Sequence, residues 1–278
     1  MRFGYILVHH LPVQVERLGR IWDKPLIIGG FPFERKPVYD SSIEAIERGV
    51  RLGMPLNEAH ILCPEAEFLP LDERKYYEIY EQTVQLLGSF SPSVETGELG
   101  CVFFDATGFE DESNLARSIV GDLSHHTGLR ACLGIASNKF LSKTAAYVTK
   151  PEVPIIVPQG KEINFLAPFS VNLLPCSDET KKKLNLLGIR IVSQLWSFTK
   201  EELVEQFDED GTLIYELAHG IDRTPLIPKA KPNLMGSGIQ FDAPIDNYLE
   251  LLNVVDKVLD RFLTEFRKQG QVCSKIKL

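Results

Sequence analysis

Residues 91–108, SPSVETGELGCVFFDATG, constrain this chain more than any other stretch. They have the form of a strand, a tight turn and a second strand. With a period of two, Cys101, Phe103 and Asp105 share one face of the second strand. Near the chain start, Arg2-Phe3-Gly4-Tyr5-Ile6-Leu7-Val8 reads as a buried strand, and residues 1–15 contain no Asp or Glu at all. His9 and His10 follow it. Neighbours on a strand point to opposite faces, so this pair makes a poor metal site and reads as packing or turn residues.

The hairpin resembles the palm hairpin of the Y-family (translesion) DNA polymerases. Ser91-Pro92-x-Val94-Glu95 matches its entry and Phe104-Asp105-x-Thr107-Gly108 its exit, with no gap between them. The resemblance implies an Asp-Glu pair holding magnesium at positions 100 and 101, where this chain has Gly100 and Cys101. Aligning Val15-Glu16 with the family's equivalent pair puts Leu7 and His9 at the first-strand acid positions. Two-metal nucleotidyl transfer needs carboxylate oxygens to clamp two hard cations. Glycine offers only a carbonyl, and a thiol is a soft donor that magnesium binds poorly. Glu98 and Asp105 are the nearby acids that could stand in. Asp105 is a weak metal candidate, because active members carry an acid there beside the catalytic pair, and it reads better as a structural carboxylate. No catalytic residue, metal or cofactor is therefore expected, with magnesium entering only if the chain is an active polymerase.

The nucleotide pocket reads as degenerate too. Residues 41–55 resemble the family's fingers helix through Glu44-Ala45, Gly49-Val50-Arg51 and Met54-Pro55. Ile43 and Ile46 occupy the positions that the resemblance assigns to a Tyr and an Arg on the triphosphate. Isoleucine cannot replace a bidentate guanidinium. Pro12 stands where an aromatic would screen the ribose. Lys150, in Lys150-Pro151-Glu152, is the retained phosphate contact. Arg48 and Arg51 are equally well explained as a solvated face.

Further matches run in order along the chain. Leu133-Gly134-Ile135-Ala136-Ser137-Asn138-Lys139 continues into Lys143 as a strand-to-helix element, and Ile163-Asn164-Phe165-Leu166 fits the palm–thumb junction. The expected fold class is α+β with right-hand architecture: a palm with a mixed or antiparallel sheet, small fingers, a helical thumb and a partial little finger. The implied boundaries are 1–20 and 74–167 for the palm, 21–73 for the fingers and 168–228 for a helix-hairpin-helix-like thumb. Residues 229–278 read as a linker and an incomplete little finger. An apolar stripe at Leu251, Val255, Leu259, Phe262 and Phe266 marks an amphipathic helix there. A strand–helix–strand remnant buries little core, so truncation or completion by another chain is expected.

At the thumb turn, Cys176-Ser177-Asp178-Glu179 replaces the glycine-rich hairpin whose amides would approach a phosphate. Ser177 or Asp178 is a reasonable helix N-cap. The candidate DNA contacts are Lys139 and Lys143, one helical turn apart, and the run Lys181, Lys182, Lys183.

The net charge of −8 cuts against simple DNA binding. Residues 229–278 carry 8 basic and 6 acidic side chains, which leaves −10 on the first 228. Cys63, Cys101, Cys132, Cys176 and Cys273 show neither disulfide nor metal spacing. No apolar run reaches membrane-spanning length, and a cytoplasmic protein, nucleoid-associated during repair, is expected. The combined losses resemble the ImuB-type branch. They lead to the expectation of a non-catalytic, DNA-binding adaptor in translesion synthesis and induced mutagenesis. Primer-template or damaged DNA, an error-prone polymerase, an accessory repair protein and the sliding clamp are its implied partners. An active low-fidelity polymerase with a relocated metal site, and a structural subunit that binds no DNA, are the alternatives.

Overall fold

The computed structural model describes residues 1–19, 23–228, 252, 254–257, 259 and 260. The chain divides into a unit at Met1–Lys229 and a second at Ala230–Leu278. The first unit opens with β1 (Phe3–Leu7), α1 (Leu11–Arg17), β2 (Leu26–Ile28), β3 (Asp40–Ser41), α2 (Ile43–Glu47) and α3 (Leu56–Leu62). It continues through β4 (Glu67–Leu69), α4 (Glu73–Phe90), β5 (Val94–Thr96), β6 (Cys101–Asp105), α5 (Glu112–Thr127) and β7 (Cys132–Ala136). Then come α6 (Lys139–Val148), β8 (Ile155–Ile156), α7 (Glu162–Leu166), α8 (Asp178–Leu186), α9 (Lys200–Phe207) and α10 (Glu209–Ala218).

A five-stranded mixed sheet of order β5-β6-β1-β7-β8 forms the centre. β1 lies antiparallel to both β6 and β7, and β7 lies parallel to β8. Every residue of β1 is buried, as expected of a central strand covered on both faces. Ile6, Val102, Phe104 and Leu133 turn to one face and join Tyr76 and Leu87 of α4 and Ile119 and Leu123 of α5 in the main core. Tyr5, Leu7 and Cys132 turn to the other face, where Ala146 of α6 meets them. α6 lies so close to β7 that a Cβ at Gly134 would run into the Ser142 carbonyl oxygen, so only glycine fits.

A three-stranded sheet, β3-β2-β4, carries its own core of Ile27, Val38, Ala45, Val50, Leu56 and Phe68 with α2 and α3. Here the structure departs from a single helix over residues 41–55. α2 stops at Glu47, the chain turns through Gly49 and Gly53, and Pro55 caps α3. Glycine and proline are the punctuation that ends the first helix.

The helices after α6 pack as a third cluster. Leu184, Leu195, Leu203, Ile214 and Leu217 share buried contacts with Phe140 and Leu141, so α6 serves two cores at once. Ser177 caps α8 by accepting from the Thr180 N–H at 3.2 Å, as the sequence suggests. In the second unit, residues 252, 254–257, 259 and 260 are helical, in keeping with the amphipathic stripe. The expected strands at 237–241 and 272–278 lie outside the described residues. Among the described residues no helix is long and apolar enough to cross a membrane.

Candidate functional site

The sheet register brings Leu7 directly opposite Cys101, so the positions expected to carry acids do meet at one end of the sheet. What they present there is apolar or already engaged. Leu7 is buried. The Gly100 carbonyl accepts from the Val8 N–H at 2.9 Å, and the Cys101 carbonyl accepts from the Tyr80 hydroxyl at 2.6 Å. Both backbone oxygens of the pair therefore already accept hydrogen bonds. The Cys101 thiol is a hydrogen-bond partner of the Tyr5 hydroxyl, and burial holds it above its ordinary value. Burial also pushes the Tyr5 phenol up. As a soft sulfur donor, the Cys101 thiol also suits magnesium poorly. The donor set at these positions does not fit a magnesium pair. Among the described residues no group of three or more His, Cys, Asp or Glu side chains could hold a metal ion.

The stand-in acids do not converge. Asp105 pairs with Phe3 at the far end of β6, four residues and about 13 Å from Cys101. Its carboxylate accepts from the Thr107 N–H at 2.8 Å, a local turn bond in keeping with a structural role. Glu98 is exposed in the hairpin turn beside Cys101. The two cannot share one ion.

His9 and His10 leave the strand altogether. His9 sits edge-on to Tyr147, 5.9 Å between ring centroids. His10 adopts a left-handed conformation and its Nδ1 lies 2.7 Å from Asp40 Oδ1, a bond that raises its pKa. The turn reading is the right one. Pro12 lies buried in the first turn of α1, where a missing N–H costs nothing.

On the fingers side, Ile43 is 64% exposed, an apolar side chain facing water at a position the resemblance gives to phosphate recognition. Ile46 is half-buried, and Lys150 is exposed just past α6. Lys143 is also exposed, and its ammonium lies 5.8 Å from the Tyr147 ring centroid.

Lys139 requires correction as a DNA contact. It is buried, with its ammonium 2.6 Å from Glu95 and stacked 4.6 Å over Phe103. The other Glu95 oxygen accepts from the Ile227 N–H at 2.6 Å, tying the segment after α10 to β5. Helical spacing puts Lys139 and Lys143 on one face, but the first residue of α6 is buried against Glu95 and Phe103 of the sheet.

The lysine run divides likewise. Lys182 is exposed and Lys181 half-buried, while Lys183 donates to the Gln206 carbonyl and covers the Phe207 ring. The α8 N-terminus already holds an anion from the chain itself. Asp210 accepts from the Ser177 hydroxyl at 2.6 Å, the Thr180 hydroxyl at 2.7 Å and the Ser177 N–H at 3.1 Å. Sequence reasoning missed Asp210 and the Glu95 pairing. Ser177 with Thr180 did signal an N-terminus in need of acceptors.

A palm-like sheet backed by two helices, a small α/β lobe and a helical lobe define the right-hand α+β fold of template-directed polymerases. The family described as impB/mucB/samB matches residues 6–147. DNA polymerase IV of Dehalococcoides mccartyi (strain CBDB1) is 30% identical over 266 residues, covering 93% of this chain and 68% of that protein. DNA polymerase IV of Clostridium perfringens (strain ATCC 13124) is 29% identical over 243 residues, covering 86% and 68%. Among solved structures, DinB from Sulfolobus solfataricus superposes with a TM-score of 0.74 at 23% identity, covering 81% of this chain and 69% of its own. An insertion ternary complex of Dbh DNA polymerase gives 0.72 at 23%, with the same coverage. The chain belongs to the impB/mucB/samB family, the Y-family (UmuC/DinB-like) of DNA polymerases. It spans about two thirds of the length of these curated relatives.

These matches correct the expectation of a non-catalytic adaptor. The relatives similar to it along nearly its whole length are named as polymerases, so the absence of acids at positions 7, 9, 100 and 101 does not by itself place the chain outside DNA synthesis.

Proposed function

We propose that this chain works in translesion DNA synthesis as a low-fidelity DNA polymerase whose metal ligands differ from those usual in its family. The observation that carries this reading is 30% identity to a DNA polymerase IV across 93% of the chain. The five-stranded sheet with α4, α5 and α6 serves as the palm, the three-stranded sheet as the fingers, and α8 to α10 as the thumb. Leu7, Gly100 and Cys101 supply none of the ligands. Lys143, Lys150 and Lys182, exposed cations on the first unit, are the groups offered to phosphate. A primer-template is the nucleic-acid partner. The sliding clamp is a further proposed partner. A cytoplasmic, nucleoid-associated setting follows from that substrate.

The test is primer extension by the full-length protein on intact and lesion-bearing templates, with magnesium and with manganese. Slow, metal-dependent incorporation opposite the lesion is the expected result. Tight primer-template binding with no incorporation under either ion would overturn the reading.

A further inference from the structure

Phe31 and Phe33 form a parallel aromatic pair in open solvent, with centroids 5.8 Å apart and planes 6° apart. Phe33 is 85% exposed and Phe31 40%. Two large apolar rings left in water need a reason, and the loop that carries them is built to hold them out. The Phe31 N–H donates to the Glu34 carboxylate at 3.2 Å, and the Glu34 N–H donates back to the Phe31 carbonyl at 2.9 Å. Lys36 closes the turn by pairing with the same carboxylate at 2.5 Å. A cleft of about 640 Å³ opens beside Phe33, with Arg35, Pro37, Pro55 and Asn57 among its walls.

Charge narrows the occupant. Glu34 is engaged by Lys36 and by a backbone amide, which leaves Arg35 exposed and, among the described residues, without an ion pair. An exposed guanidinium two residues from an exposed ring, on a chain of net charge −8, matches a ligand that is anionic on one side and flat and apolar on the other. A nucleotide in single-stranded DNA has that character, whereas bases in a duplex have no free face. We propose that Phe33, backed by Phe31, is a stacking platform for an unpaired DNA base, with Arg35 facing the adjoining phosphate. Stacking on an aromatic tolerates any base, because every base has a π-face. The platform needs neither a metal nor a nucleoside triphosphate, so it can hold even where primer extension fails.

The test measures binding by the full chain, in chelator, to a primer-template with a single-stranded template overhang carrying 2-aminopurine. A blunt duplex of equal length is the control. Phe33→Leu keeps the apolar bulk and removes the ring, while Phe33→Tyr keeps the ring. Phe33→Leu should weaken overhang binding about tenfold, abolish the 2-aminopurine quench and leave the blunt duplex unaffected. Phe33→Tyr should behave like the parent. Arg35→Ala should flatten the salt dependence of overhang binding by about one unit of slope. Unchanged overhang affinity in Phe33→Leu would overturn the proposal and assign the patch to an apolar protein partner. Equal losses on overhang and blunt DNA would overturn it too.

Discussion

Placing at position 100 the acid that the resemblance implies should damage the protein before it helps the chemistry. Gly100 has a φ of +87°, and a Cβ built there stands 2.7 Å from the Val8 carbonyl oxygen. That conformation costs a non-glycine residue about 1–2 kcal/mol. The contact adds to this, because the opposing atom is backbone, and the Val8 N–H is itself bonded to the Gly100 carbonyl at 2.9 Å. Opening the contact means loosening the strand end that carries Leu7. Strain and displacement together come to about 3 kcal/mol, equivalent to a Tm lower by about 6–12 °C in a unit of this size. Calorimetric melts of Gly100→Ala and Gly100→Asp test the geometry. The alanine variant should show most of the loss, since the strain belongs to the Cβ and not to the charge. The double variant Gly100→Asp, Cys101→Glu should also gain no primer extension over the parent, because Leu7, Ile43 and Ile46 remain. A Gly100→Ala protein melting like the parent would refute the strain argument. A clear gain in extension by the double variant would refute the account of the pocket.

Two further expectations concern the buried charges. Lys139→Met keeps a chain of similar length but removes the ammonium over Phe103 and leaves Glu95 without its cation. It should cost about 3 kcal/mol in a thermal or denaturant melt, as for other broken buried pairs, while the salt slope of DNA binding stays at the parent value. The Asp210 carboxyl is held below its ordinary 3.8, first by the Ser177 hydroxyl and then by that of Thr180. A lowered folded pKa means stability that is fully present above pH 3.8 and lost as pH falls through the folded value. Melts below that pH should therefore decline more steeply for the parent than for Asp210→Asn, and parallel curves would rule the linkage out.

The parts of the fold that could be read from the chain are those written in local pattern or in a gapless match. The alternation in residues 101–105 gave the exposed order of the hairpin strand, and the first-strand register fell opposite it with Leu7 facing Cys101. Ser177 as a cap was legible from chemistry within three residues. What escaped depends on long separations. Lys139 meets Glu95 across 44 positions and Ser177 meets Asp210 across 33, and nothing in helical spacing reports such partners. The break in the fingers helix was visible in Gly49, Gly53 and Pro55, but a family resemblance outweighed plain backbone chemistry. The site itself was half legible. Missing acids can be counted in a sequence, whereas hydrogen-bonded carbonyls and a buried thiol cannot.

Those two long-range pairs have a common consequence for how the protein meets nucleic acid. In each, a place suited to a phosphate is filled by a carboxylate from the same chain: Glu95 on the Lys139 ammonium, Asp210 on the N-terminus of α8. An internal carboxylate is held at a fixed distance and costs no association entropy, so it outcompetes a phosphate that must be brought from solution. The acidic balance of the first 228 residues is thus partly spent on the protein's own cations. Fewer free phosphate contacts mean weaker non-specific attraction to duplex DNA. Selectivity then shifts toward features that do not depend on charge alone, and the exposed ring of Phe33 is a feature of that kind.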